Sequence, residues 1–154
     1  MGSAEAIKRV SEIILSYDNY SSLNIVVSAF GGITDVLLEA ISLAENSQPY
    51  QDILSQFSDR TLSITEALFP TEKFEAIRKD FSNLHKDLNQ VLDGVSLVRE
   101  ATDKTKDYIL SFGERCSAKM LALYLESIGA SSSYIDRLFT AHSQVWLNMQ
   151  SVMT

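Results

Sequence analysis

Over Ala4 to Leu15 the apolar residues Ala4, Ile7, Val10 and Ile14 fall three or four positions apart, which places them on one face of a helix. Tyr17 to Ser22 is polar and reads as a turn. Leu23 to Ala29 breaks the helical period. Its β-branched run Ile25, Val26 and Val27 predicts a strand, and its apolar character on both sides predicts a buried, parallel one. Gly31-Gly32 follows, and then Thr34 or Asp35 can cap a helix with apolar positions Val36, Leu37, Leu38, Ile41, Leu43 and Ala44. From Tyr50 to Phe69 the helical spacing returns with Ile53, Leu54, Phe57, Leu62, Ile64 and Leu68. Thr71 can cap the longest stretch, which runs to about Glu100 on the stripe Phe74, Ile77, Phe81, Leu84, Leu88, Val91, Val95 and Val98, with Gly94 as a break near its end. A further helix is predicted from near Thr102 to Ser111. Phe112-Gly113-Glu114 either interrupts it or begins the next, and Arg115 to Ile128 is helical with Gly129 as its stop. Ser133 to Ile135 is a second candidate strand, and beyond it the pattern is weak.

Composition sharpens this picture in a few places. The chain has 154 residues, enough for one domain with a real core. Six glycines and two prolines are few breakers for this length, so the chain is mostly helix. A net charge of −7 gives no general attraction to nucleic acid, because neutralised phosphates supply much of that affinity. The single cysteine, Cys116, excludes an intrachain disulfide and a cysteine-clustered metal site. Its place on an apolar helical face, with no histidine near it in sequence, reads as core rather than nucleophile. The N-terminus does not resemble a signal peptide, and no apolar run approaches the ~20 residues that span a bilayer. A soluble, cytoplasmic chain without a membrane partner is therefore expected.

Two segments carry candidate chemistry. In the first, strand–SAFGGITD–helix, the backbone N–H groups of a glycine-containing turn and an open helix N-terminus can hold an anion or carboxylate. Ser28 and Thr34 can add hydroxyl donors. The plainer reading is a tight connection that needs small residues. The segment matches neither the dinucleotide fingerprint nor the phosphate-binding loop ending in Gly-Lys-Ser/Thr. In the second, SFGERCSAK, Ser111 and Glu114 have capping-box spacing. The functional alternative is that Glu114 points at the glycine turn and binds an amine. His85, on a charged helix, and His142, in the tail, read as surface residues, and Trp146 reads as a packing anchor. Asp35, Asp107 and Asp136 are carboxylates whose pairing the spacing does not reveal.

The order of these segments resembles the aspartate kinases. The resemblance runs through SAEAIKRVSEII, NIVVSAFGGITDVLLEA, a long helical insert, DYILSFGERCSAKMLALYLESIGA and YIDR. The insert is similar to that of the form fused to homoserine dehydrogenase. The likeness covers about residues 2–137 of a single domain, 1–154, and residues 138–154 form a divergent tail. It implies an α/β fold: a helix-dominated fragment of the three-layer amino acid kinase fold with a small or vestigial parallel sheet.

The family transfers the γ-phosphoryl of Mg-ATP to the β-carboxylate of L-aspartate. By resemblance, Ser28, Ala29, Gly31, Gly32 and Thr34 line an aspartate site, and Glu114 meets the substrate's amino group. Thr34 and Glu114 are then expected to face one cleft, and Arg115 and Ser117 to support the start of Glu114's helix. The family's Lys-Phe-Gly-Gly-Thr-Ser-Val loop stands just before the position of Ser3, and its ATP-binding half lies beyond the stretch that matches. No catalytic residue, nucleotide-binding residue or metal ligand is therefore assigned within this chain. The chain alone is expected to be inactive and to bind L-aspartate weakly at a vestigial site. It is also expected to self-associate, most simply as a dimer, because removing strands leaves apolar surface. The alternative is a non-catalytic remnant that acts as a self-associating or partner-binding helical protein.

Overall fold

The computed structural model describes residues 2–136 and the backbone of residues 146–148. Helix α1 (Ala4–Leu15) begins where the Ser3 hydroxyl accepts from the Ala6 N–H at 3.3 Å, and it buries Ala4, Ile7, Ser11 and Ile14. A 3-10 turn, Tyr20–Ser22, leads into strand β1 (Asn24–Val26). Four helices follow: α2 (Ile33–Glu45), α3 (Gln51–Leu68), α4 (Thr71–Val98) and α5 (Asp103–Ser127). Strands β2 (Ser133–Ile135) and β3 (Trp146–Asn148) complete the described chain.

The helix-dominated architecture with a small sheet agrees with expectation, but the pairing within that sheet does not. Its order is β1-β3-β2, and β3 runs antiparallel to both neighbours. The two strands expected from sequence therefore run in the same direction without pairing with each other. β3 lies between them, with Ile25 and Tyr134 both opposite Leu147. The weak pattern of the tail hid this strand, because a three-residue segment is too short to establish a period. β1 is shorter than the predicted Leu23–Ala29 and lies at the edge of the sheet. It alternates exposed, half-buried, exposed instead of being buried on both sides. The Trp146 side chain, His142 and Arg137 lie outside the described residues.

The core lies where α2, α3, α4 and α5 meet, around Leu37, Phe57, Phe81, Leu88, Phe112 and Leu121. α4 buries Ile77, Phe81, Leu84, Leu88, Leu92 and Val95 along its length, as its stripe predicts, but Val98 is exposed. Gly94 does not break α4. The helix ends instead at Arg99, whose N–H still donates to the Val95 carbonyl at 2.7 Å and whose left-handed φ of 61° turns the following chain out of the helix. Thr71 is the first helical residue, not a cap. Pro70 precedes it, where a missing N–H costs nothing.

The largest departure concerns the segment after Thr102. α5 is one continuous helix, capped by the Thr102 hydroxyl accepting from the Thr105 N–H at 3.2 Å. Phe112-Gly113-Glu114 therefore lies mid-helix, all three helical, and the Ser111–Glu114 capping box does not exist. Ser111 donates back to the Tyr108 carbonyl at 2.6 Å.

Candidate functional site

The loop from Ser28 to Gly32 carries the first group of candidates. Phe30 is buried and anchors it, and Ile33 N–H donates to the Phe30 carbonyl at 3.0 Å. Gly32 has a left-handed φ of 82°, the conformation glycine adopts most readily, and it is the residue that precedes α2. Neither Thr34 nor Asp35 is a cap. Both sit exposed in the first turn of α2, because the helix already starts at Ile33. Ser28, Gly31 and Gly32 are also exposed, and Ala29 is half-buried. Gly2 lies beside this loop, and Arg60 of α3 donates to the Gly2 carbonyl.

α5 packs directly against the loop. Gly113 makes this possible. A Cβ there would stand 2.7 Å from the Ala29 Cβ and 3.3 Å from the Ile33 Cγ2, so only a residue without a side chain allows the approach. One turn on, the buried Ser117 hydroxyl donates to the Ser28 carbonyl at 2.7 Å and lies 3.0 Å from the Glu114 carbonyl. Ser117 thus ties the turn of α5 that carries Glu114 to the loop that carries Ser28. It does so from mid-helix, and not at the helix start inferred for it.

Glu114 is half-buried, and its carboxylate meets the N–H of its own residue but forms no ion pair among the described residues. Burial raises its pKa above the ordinary carboxylate value. A partly desolvated carboxylate with no cationic neighbour favours a cation, and an ammonium group meets that need. Arg115 faces elsewhere. Its Nε donates to Asp136 at 2.8 Å, and its guanidinium stacks 4.5 Å from the centre of the Phe112 ring.

Other candidates resolve differently. Cys116 is fully buried against Thr61, and burial pushes its thiol up to about 12. One surface assignment needs correcting. His85 is not a surface residue: its ring packs edge-on to Phe57 at 4.7 Å, and burial lowers its pKa to about 4. The charged neighbours of His85 concealed its position on the inner stripe of α4. Lys119 pairs with Asp80 at 3.4 Å. Among the described residues no group of three or more His, Cys, Asp or Glu could hold a metal ion, and no helix is long and apolar enough to cross a membrane.

Gly113 is the residue whose role the sequence reading missed. Its signal was available: a glycine inside an otherwise unbroken helical period costs about 1 kcal/mol, and a packing need is the usual reason for keeping it.

A helical layer on a small sheet, with a glycine loop after the first strand held against a mid-helix Gly-Glu pair, accords with the amino acid kinase family. The chain belongs to that family, whose sequence profile matches residues 1–151. Within it, the chain is similar to aspartokinases. It is 33% identical over 140 residues to Aspartokinase 2, chloroplastic, of Arabidopsis thaliana, covering 87% of this chain and 24% of the relative. It is 26% identical over 140 residues to the chloroplastic bifunctional aspartokinase/homoserine dehydrogenase 1 of Zea mays, covering 88% and 15%. Its fold matches E. coli aspartokinase III solved with aspartate and ADP, with a TM-score of 0.69 and 24% identity over 84% of this chain and 27% of that one. The chain therefore spans about a quarter or less of the length of these relatives. Single-function and dehydrogenase-fused enzymes both match, so the helical insert does not separate the two forms. The cytoplasmic placement is corrected by the same comparison, since the plant relatives are named as chloroplastic.

Proposed function

We propose that this chain is the amino-acid-binding part of an aspartate kinase catalytic unit, which phosphorylates the β-carboxylate of L-aspartate with Mg-ATP as donor. The observation that carries this reading is the attachment of Glu114's helical turn to the Ser28 loop through Ser117 and Gly113. In this reading Glu114 holds the substrate ammonium. Ser28, Ala29, Gly31, Gly32 and Thr34 receive a carboxylate through hydroxyl and N–H groups. In this reading these residues serve the amino acid side of the reaction. Phosphoryl transfer depends on several positioned charges around the transferred group. Residues 1–154 alone are therefore expected to bind aspartate weakly and not to turn it over.

The likeness to chloroplastic enzymes supports a plastid setting. Exposed Val26, Leu97 and Val98 support self-association as a dimer, which a monomeric mass in sedimentation would exclude. The test of the main reading is an amide NMR titration of the chain with L-aspartate, run beside a hydroxylamine trap for acyl phosphate. Shifts at Gly31, Gly32 and Glu114 with a dissociation constant of about 1 mM or weaker are expected, since each absent charge-assisted hydrogen bond costs about 1.5–3 kcal/mol. Aspartate that shifts none of these amides overturns the site. Trapped acyl phosphate that disappears in Glu114→Ala overturns the assignment of inactivity.

A further inference from the structure

α3 and α4 leave a cleft between them, on a part of the molecule separate from the Ser28 loop. Its inner lobe, about 230 Å³, opens into an outer lobe of about 340 Å³ that shares Ser58, Ser82 and His85 with it. The floor is built from Thr61 and Thr65, both buried. Their hydroxyls already donate to the carbonyls of Phe57 and Thr61, at 2.9 and 2.8 Å, so the floor offers no free donor. The walls are Leu62, Phe81 and the His85 ring, whose buried Nε2 has no hydrogen-bond partner among the described residues. This lower part suits a compact, largely apolar body.

The mouth has the opposite chemistry. Ser58 and Ser82 make no side-chain hydrogen bond among the described residues, so their hydroxyls can donate outward. Arg78 stands at the inner lobe and Lys86 at the outer one, while Lys79 and Glu75 flank the adjoining surface of α4. Among the described residues Arg78 pairs only with Glu75, at 3.2 Å, and both side chains are more than half exposed. A pair of that kind is worth little and yields readily to a better acceptor. A chain of net charge −7 thus carries a locally cationic mouth over an apolar, aromatic-walled cleft.

We propose that the α3–α4 cleft is a second ligand site, for a compact monocarboxylate whose carboxylate meets Arg78, Ser58 and Ser82 and whose body rests on Phe81 and His85. The guanidinium and two hydroxyls supply the donors a carboxylate accepts from, and the walls supply the apolar burial that fixes its orientation. This site is independent of the aspartate reading: none of its residues belongs to the Ser28 loop or to α5.

The test uses 4-fluorobenzoate as probe, followed by fluorine NMR on the whole chain. Saturable broadening is expected, together with amide shifts at Ser58, Ser82 and His85. Arg78→Gln should weaken binding by about fivefold or more, the effect of losing one charge-assisted contact at a wet mouth. Ser82→Trp should abolish it by filling the cleft, and Arg99→Gln, at the far end of α4, should leave it unchanged. Arg78→Gln alters an exposed side chain and keeps the test sound should Ser82→Trp disturb folding. Absence of saturable binding, equal affinity in Arg78→Gln, or equal binding of uncharged 4-fluorobenzyl alcohol would overturn the proposal.

Discussion

Alanine in place of Gly113 brings a methyl carbon to 2.7 Å from the Ala29 Cβ, 3.3 Å from Ile33 Cγ2 and 3.7 Å from Leu37 Cδ1. Relaxed carbon contacts lie at about 3.5–4.0 Å, so α5 or the loop must move by roughly 1 Å. The shortest contact joins two Cβ atoms, each fixed directly to backbone, and no flexible side-chain end is there to yield. Overpacking of this kind costs about 1–3 kcal/mol. A shift of that size also breaks the 2.7 Å bond from Ser117 to Ser28, which removes about 0.5–1.5 kcal/mol more. Alanine recovers about 1 kcal/mol through helix propensity. The net loss is about 0.5–3.5 kcal/mol, and each kcal/mol lowers Tm by about 2–4 °C in a domain of this size. Gly94 supplies the control: it too lies inside a long helix, but its added Cβ meets nothing within 4 Å. Gly94→Ala should therefore stabilise by about 0.5–1 kcal/mol. In urea unfolding followed by far-UV circular dichroism, the Gly113→Ala midpoint falls, the Gly94→Ala midpoint rises, and Ala29→Gly restores part of the Gly113→Ala loss. Equal midpoints for the two glycine variants would refute the close contact of α5 with the loop.

Burial raises the Glu114 pKa, so the folded state keeps a proton that the unfolded chain has released, and stability falls as pH rises from the ordinary carboxylate value through the raised one. Glu114→Gln should flatten that fall, seen as a smaller Tm difference between pH 4 and pH 7, and an unchanged difference would contradict the assignment. His85 shifts the other way: its folded pKa is about 4 against an ordinary 6.5, so its contribution is present above 6.5 and is lost as pH drops toward 4. Proton NMR should place the His85 midpoint near 4, and His85→Gln should reduce the loss of Tm across that window. Cys116, fully buried with a thiol pKa near 12, should not react with a thiol reagent in the native chain and should label fully in denaturant. Native-state labelling at the rate of a free thiol would contradict its burial.

The long helices were readable because their stripes are long. The run from Phe74 to Val95 repeats its period over many turns, and nothing in tertiary packing has to override it. The errors fall where a distant contact decides the local structure. Gly113 looked like a break because a helix interior disfavours glycine, yet it is present for Ala29, far away in sequence. His85 looked solvated because Lys86 and Asp87 follow it, while its own position lies on the α4 stripe facing Phe57. Among the candidates, the Ser28–Gly32 loop was legible from its residue types. The partner of Ser117 was not, because a side chain reaching another segment's carbonyl leaves no local pattern.

The sheet also has a temporal consequence. Its central strand, Trp146–Asn148, is the last described element of the chain, and both flanking strands depend on it for pairing. Joining Val26 to Trp146 closes a loop of about 120 residues, which costs about 4 kcal/mol of chain entropy beyond its constant part. Helices need only neighbours in sequence, so the α3–α4 hairpin can form early, while β1 waits with its polar edge open. During synthesis, at roughly 5–20 residues per second, β1 leaves the ribosome many seconds before its partner exists. Among the described elements the sheet is therefore the last to assemble, and until then the exposed edge of β1 is where a nascent chain is most open to pairing with another.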